Sequence, residues 1–172
     1  MRSATGATHD YPYVGDRISE ISKVVLKRMR EGIEAVDPHT LFAGRKVLLS
    51  TVPGAFTPTC SAKHLPGYVE HFEDVRKRGI DVLCTAVNDP FVMQARGRSQ
   101  LVPDGLHLLP DGNAELARAL GLDIDASSSG MGLRSRRYAL YADDAVVKAL
   151  FVEEPGEFKV SAADYVLEHL PD

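Results

Sequence analysis

The residues best suited to chemistry lie together in the segment PGAFTPTCS, residues 53–61. An apolar run of strand type ends just before this segment and a helical pattern begins near residue 59, so Cys60 is predicted in the first turn of a helix. Unpaired N–H groups and a partial positive charge at a helix N-terminus stabilise a thiolate relative to a thiol. A free cysteine has a pKa of about 8.5, and such surroundings lower it. We therefore expect Cys60 to be ionised and reactive at neutral pH.

Two further side chains suit this thiolate. Thr57 lies three residues before Cys60, and its hydroxyl can donate to the sulfur, accept from an incoming O–H group or cap the helix. The run RSRR, residues 134–137, directly precedes a predicted strand, and an arginine there would supply a permanent cation with several donors. Arg137, the closest to the strand, is the preferred candidate, with the two earlier arginines as alternatives. This set suits attack of the sulfur on a peroxide oxygen, which would leave Cys60 as a sulfenic acid.

Strand and helix patterns alternate along the chain that carries these residues, which predicts an α/β core. The predicted strands are Lys46 to Val52, Ile80 to Val87, Leu106 to Leu109, and the hairpin Tyr138 to Tyr141 with Val146 to Val152. The predicted helices begin near residue 59, at Asp89-Pro90, at Ala114 and ahead of Tyr165, and Asp37-Pro38 starts a short turn or helix. The stretch from Ile18 to Met29 fits a helix or a strand equally well.

Two local features of the helices are also predicted. Pro66 falls inside the helix that follows Cys60, where its missing N–H predicts a kink. Ser161 lies three residues before Asp164, a capping-box-like start for the C-terminal helix.

Composition excludes several classes of function. With 44% apolar and 26% charged residues among 172, the chain has the make-up of a folded domain, predicted for residues 15–172 after a flexible arm over residues 1–14. A net charge of −4 argues against nucleic acid and anionic membranes as partners. There is no run of 18 apolar residues and no secretory signal pattern, so we expect a cytoplasmic protein.

Other cysteine chemistries have weaker support. His64 lies four residues after Cys60, which raises a cysteine–histidine hydrolase, but one helical turn orients the imidazole poorly and no orienting acid is evident. Two cysteines 24 residues apart with scattered histidines make no recognised metal site, and no Cys-x-x-Cys pair is present. The remaining alternative is a thioredoxin-like peroxide sensor in which Cys60 is oxidised without multiple turnover.

Four segments of the chain closely resemble the type II, or peroxiredoxin 5, subfamily of the peroxiredoxins. They are VPGAFTPTCSAKHLPGYVEHFEDV, NDPFVMQA, GLRSRRYALYADD and GEFKVSAADYVLEHL, and the resemblance extends from about Val14 to Leu170. Its most specific element is the spacing of Pro53, Thr57 and Cys60. The resemblance implies a thioredoxin-like fold, with a central mixed β-sheet flanked by helices.

The resemblance also implies the function. Cys60 would be the peroxidatic cysteine, supported by Pro53 and Thr57, with Arg137 as the catalytic arginine. Hydrogen peroxide and alkyl hydroperoxides would be the substrates, and thioredoxin, glutaredoxin or glutathione the reductant. The protein would be a homodimer that uses no metal or organic cofactor and serves cell redox homeostasis.

The chain departs from the subfamily at several positions. Arg96 stands where many relatives have tryptophan, which predicts altered packing or reductant docking, and Ser50-Thr51 stands where Phe-Gly is frequent. The late cysteine that some animal members use for resolution is missing. Cys84 is open to two interpretations: a small core residue on a central strand, or a resolving cysteine, since plant-like members carry one in the corresponding strand.

Overall fold

The computed structural model describes residues 14–18, 26–29, 31–58 and 60–171, with only the backbone for Met29, Cys60 and Ser61. Apart from Val14, the predicted arm lies outside the described residues. The ambiguous stretch from Ile18 to Met29 ends in a strand, and most of its earlier part lies outside them too. That residues 15–172 form one domain stays a prediction.

A mixed five-stranded sheet forms the centre of the fold, in the order β5-β4-β3-β8-β9. Strands β3, β4 and β5 are parallel, whereas β8 runs antiparallel to β3 and to β9. The strands are β1 (Leu26–Met29), β2 (Ile33–Val36), β3 (Lys46–Val52), β4 (Ile80–Ala86), β5 (His107–Pro110), β6 (Asp123–Asp125), β7 (Leu133–Ser135), β8 (Tyr138–Asp143) and β9 (Val146–Val152). The α/β prediction and its five sheet strands are therefore confirmed.

Helices lie between and after these strands. They are α1 (Pro38–Phe42), α2 (Leu65–Glu70), α3 (Phe72–Lys77), α4 (Pro90–Ser99), α5 (Glu115–Ala119) and α6 (Ala163–His169). Asp37 caps α1 through His39 N, and Asp89 caps α4 through Val92 N, each followed by proline at the start of the helix, as predicted. None of the helices in the described ranges has the length and apolar character needed to cross a membrane.

Each face of the sheet carries its own hydrophobic cluster because side chains alternate along a strand. In β3, Val47 and Leu49 belong to one cluster and Leu48 to the other. The second cluster contains the buried face of the helices that follow Cys60, formed by Leu65, Tyr68, Phe72 and Val75, with the partly buried Val69 packed against it. Cys84 belongs to this second cluster, and its partner across the β3–β4 ladder is Ser50.

The helix that follows Cys60 is more divided than the sequence predicts. It opens with one π-helical turn, Cys60–His64, continues as α2 and is interrupted at His71 before α3. Pro66 lies in the first turn of α2, directly after the π turn, so the segment stays helical across the proline. The departures from a regular α-helix lie on both sides of it, in the π turn and at His71.

The capping box predicted at Ser161 is wrong. Helix α6 begins at Ala163, and its N-cap residue Ala162 makes no side-chain capping bond. The Ser161 hydroxyl instead donates to the Glu153 carboxylate at 2.9 Å. The short strand pairs β1–β2 and β6–β7 were also not predicted, because runs of three or four residues carry too little periodicity.

Candidate active site

The catalytic loop, residues 53–58, joins the end of β3 to the π turn. The Gly54 carbonyl accepts from Thr57 N at 3.3 Å and from Thr57 Oγ1 at 3.1 Å. Ala55 N donates to Asn88 Oδ1 at 2.9 Å, which ties the loop to the end of β4. Pro53, half-buried, directs the chain out of the strand. Because a hydroxyl has one proton, the Thr57 hydroxyl that donates to Gly54 interacts with further groups through its oxygen as an acceptor.

Cys60 is the first residue of the π turn and Pro58 is already helical, so the backbone of Cys60 lies in the first turn of a helical segment, as the sequence predicts. The predicted partners described in full are connected to this turn through the chain or through a hydrogen bond: Thr57 precedes it, His64 ends it, and Arg137 bonds to His64. The catalytic roles of Cys60, Thr57, Pro53 and Arg137 stay predictions.

The sequence did not predict the contact between His64 and Arg137. It is buried at 1% exposure, with Nδ1 2.9 Å from Arg137 Nη1 and Nε2 2.6 Å from Ser50 Oγ. A guanidinium only donates, so Nδ1 is the unprotonated nitrogen and Nε2–H donates to Ser50. Burial, and secondarily the charge of Arg137, lowers the pKa of His64 to about 3. His64 is therefore neutral and held by two partners, which counts against its being the base of a hydrolase.

Arg137 is the arginine that reaches the helical segment of Cys60. Besides its bond to His64, its guanidinium carbon lies 5.6 Å from the centroid of the Phe158 ring, within range of a cation–π contact. The two alternatives make other contacts: Arg134 donates to the carbonyl of Val87 at 3.0 Å, and Arg136 to that of Glu153 at 3.5 Å. The arrangement favours Arg137 as the catalytic arginine.

Cys84 lies in surroundings unlike those expected of a reactive thiol. It is 7% exposed, and burial raises the pKa of its thiol to about 12, although a hydrogen bond with Ser50 opposes the shift. A cavity of about 20 Å³ beside it has room for roughly one water molecule. Ser50, His64 and Arg96 are among the residues that line this cavity.

Arg96 packs against the catalytic loop through Phe56. Its side chain is buried at 3% exposure, and the guanidinium carbon lies 5.6 Å from the centroid of the Phe56 ring. Phe56 itself is 53% exposed. That packing at Arg96 differs from that of the subfamily stays a prediction; the structure shows a buried arginine beside an exposed aromatic ring.

No group of three or more His, Cys, Asp or Glu side chains that could hold a metal ion occurs in the described part of the chain.

Comparison with known proteins identifies the family. The Redoxin family model matches residues 13–167. Peroxiredoxin-2B of Arabidopsis thaliana is 47% identical over 141 residues, 80% of this chain and 86% of the relative. Chloroplastic Peroxiredoxin-2E-2 of rice, Oryza sativa subsp. japonica, is 47% identical over 161 residues, 91% of this chain and 72% of the relative.

A solved structure agrees with these sequences. Reduced Prx3 of Vibrio vulnificus in complex with H₂O₂ superposes with a TM-score of 0.85 at 41% identity, covering 93% of this chain and 99% of that chain. The thioredoxin-like fold is confirmed, and the family gives the chain thiol-dependent peroxidase activity. The chain therefore belongs to the redoxin family and, within it, to the peroxiredoxins, where the type II, or peroxiredoxin 5, subfamily fits it.

Proposed function

We propose that this peroxiredoxin reduces hydrogen peroxide and alkyl hydroperoxides with Cys60 as the nucleophile. The observation that carries the proposal is the 2.9 Å hydrogen bond between Arg137 and His64. His64 ends the turn that begins with Cys60, so the bond attaches a permanent cation to the helical segment of the thiol. A cation in that position stabilises a thiolate and lowers the pKa of the thiol.

In the proposed reaction the Cys60 thiolate attacks one peroxide oxygen and forms an S–O bond while the O–O bond breaks. The electron pair of the broken bond leaves on the second oxygen, which takes up a proton and departs as water or an alcohol. Arg137 donates to the charge growing on that oxygen, and the Thr57 oxygen accepts from the peroxide O–H. Pro53 fixes the start of the loop. The product is a sulfenic acid on Cys60.

We further propose that an external thiol, from glutathione, glutaredoxin or thioredoxin, resolves this sulfenic acid. The attacking species in disulfide formation is a thiolate. Cys84 is buried in a central strand, and its pKa of about 12 keeps it protonated at physiological pH. Intact mass after one equivalent of peroxide tests this: a sulfenic acid, and not a loss of two hydrogens, is expected with Cys84 present.

Three wider proposals accompany the reaction. Exposed apolar side chains occur in the catalytic loop, at the start of α4 and in β7 (Phe56, Phe91 and Leu133), and they support a homodimer that buries them. Sedimentation tests this: the wild-type protein is expected to be a dimer and Phe91→Glu a monomer.

We also propose a cytoplasmic location and a role in redox homeostasis. Cell fractionation tests the location, because the rice relative is chloroplastic.

The decisive experiment follows peroxide consumption with glutathione and glutaredoxin, or with thioredoxin and its reductase, as the electron source. Many turnovers per chain are expected, whereas a peroxide sensor would consume one equivalent and stop. Turnover with only one of the two systems identifies the reductant. Peroxidase turnover retained in Cys60→Ser would overturn the proposed mechanism.

A further inference from the structure

The loop of residues 153–161, which joins β9 to α6, is organised around one buried carboxylate. Glu153 is 4% exposed, and its Oε1 accepts from Lys159 N at 2.6 Å, from Ser161 N at 2.8 Å and from Ser161 Oγ at 2.9 Å. Its Oε2 is buried without a hydrogen-bond partner in the described part of the chain. One oxygen atom therefore makes all three bonds that close the loop.

The closed loop presents an aromatic ring to the candidate active site. Phe158 lies within the loop, with its ring centroid 5.2 Å from that of His64 and 5.6 Å from the guanidinium carbon of Arg137. Phe158 therefore packs against both members of the hydrogen bond that attaches the cation to the turn of Cys60.

The same loop is also tied to Tyr68, a second aromatic residue that packs on His64. Tyr68 OH donates to the Ser161 carbonyl at 2.8 Å, and the Tyr68 ring stacks on the His64 ring with centroids 5.5 Å apart. In addition, Glu153 N donates to the Arg137 carbonyl at 3.0 Å. Glu153 thus contacts the main chain of Arg137 directly and, through the loop, is connected to both aromatic rings that pack on His64.

We propose that Glu153 is a positioning residue for the peroxide step, because its carboxylate holds the 153–161 loop closed so that Phe158 fixes the Arg137 guanidinium against His64. The inference rests on the proposed function and deepens it. A flexible arginine side chain has many rotamers, and a displacement of about 1 Å in a catalytic group can lower a rate about a hundredfold. If the loop opens, the Phe158 ring no longer packs against Arg137 and no longer restricts its side chain.

The experiment compares four variants by the second-order rate constant of the peroxide step, its pH dependence and the unfolding midpoint. Glu153→Ala is expected to slow the peroxide step about tenfold or more. It should also raise the apparent pKa of the Cys60 thiol, because the guanidinium is no longer held beside the turn. Glu153→Gln keeps one carbonyl oxygen for all three bonds and should stay within about threefold of the wild-type rate.

Val147→Ala is the matched control for loss of stability alone. Val147 is fully buried in β9 at the far end of the same hairpin, opposite Ala142. Its truncation should lower the unfolding midpoint and leave the peroxide step and its pH dependence unchanged.

Phe158→Leu removes the aromatic ring itself and should reproduce the slowing of the peroxide step seen in Glu153→Ala.

Each outcome decides between the two proposals. No peroxide consumption by the wild-type protein would refute the proposed function itself. A wild-type peroxidase in which Glu153→Ala reacts at the normal rate with a normal pH profile would overturn the positioning role alone, as would equal slowing in Val147→Ala. If Glu153→Ala does not fold, Ser161→Ala removes only the 2.9 Å bond. That variant should slow the peroxide step less but in the same direction, and an unchanged rate would overturn the inference.

Discussion

The two cysteines of this chain lie in opposite surroundings. Cys60 is the first residue of a π turn after a loop whose Phe56 is 53% exposed, whereas Cys84 lies in the middle of a central strand at 7% exposure. The polar groups associated with the two elements also differ: Arg137 bonds to His64 at the end of the turn of Cys60, whereas at Cys84 a hydrogen bond with Ser50 opposes the burial that raises the thiol pKa. The two thiols are therefore expected to differ in chemistry because different elements carry them.

A continuous line of polar contacts connects these two regions. Ser50 bonds to His64 Nε2, and His64 Nδ1 accepts from Arg137. Ser50 also hydrogen-bonds to Cys84, its partner across the β3–β4 ladder. The site therefore has an inner end, where Cys84 stays protonated, and an outer end, where a cation is available. The difference between the ends is what the following changes test.

The largest effect is expected from exchanging each thiol for a hydroxyl. Cys60→Ser should abolish peroxidase turnover, because serine has no accessible anion at neutral pH and cannot form a sulfenic acid. Cys84→Ser is the matched control and should keep the peroxide step within about twofold, since the smaller side chain remains buried beside Ser50. Stopped-flow measurement of the peroxide step checks both. Equal losses would mean that Cys84 takes part in the chemistry.

The second largest effect is expected from replacing Arg137, the cation at the outer end of the site. Arg137→Lys should slow the peroxide step by about a hundredfold, because an ammonium cannot donate to His64 and to the leaving oxygen from a rigid fork. Arg136→Lys is the neighbouring control and should stay within about threefold. The second-order rate constant for hydrogen peroxide measures the contrast. The reverse order of effects would transfer the catalytic role to Arg136.

Much of this arrangement could be predicted from sequence because it depends on local signals. The strand runs bounded by Gly, Pro and Asp, and the caps at Asp37 and Asp89, lie within a few residues of the elements they define. The position of Cys60 at a helix start follows from the same kind of signal. The type of element was therefore predictable even where its end residues shifted.

The contacts that complete the site are not local, and a single sequence does not record them. Arg137 and His64 are 73 positions apart, and their contact exists only because β8 pairs beside β3. Ser161 had a helix-capping spacing, yet a buried carboxylate eight residues earlier took its hydrogen bonds. Local propensity was overridden there because leaving Glu153 without partners in the core would cost more than an uncapped helix.

His64, between the two ends, makes stability depend on pH. Its pKa falls from 6.5 in the unfolded chain to about 3 in the folded protein. Between these values the unfolded chain binds the extra proton, so stability is complete above about pH 6.5 and is lost as pH falls toward 3. The loss attributable to His64 is as much as ~5 kcal/mol over that window.

Urea unfolding at several pH values measures this effect. The wild-type protein should lose free energy of unfolding steeply below pH 6, and His64→Gln should show a flatter profile, because glutamine takes up no proton. Parallel profiles for the two proteins would mean that His64 is not the group responsible. The peroxide rate between pH 5 and 8 should then report the titration of Cys60, since His64 stays neutral there.

The smallest effect is expected from a methyl group added to the catalytic loop. A Cβ at Gly54 would lie 2.9 Å from Thr57 Cγ2, too close for two carbon atoms. Gly54→Ala should therefore displace Thr57 and slow the peroxide step about threefold to tenfold. Gly67→Ala is the control, because its Cβ would lie 3.7 Å from Ala163 Cβ, an ordinary contact, within helix α2. Gly67→Ala should leave the rate of the peroxide step unchanged. If Gly54→Ala reacts at that same unchanged rate, the outer end of the site tolerates a displaced Thr57 and the prediction is wrong.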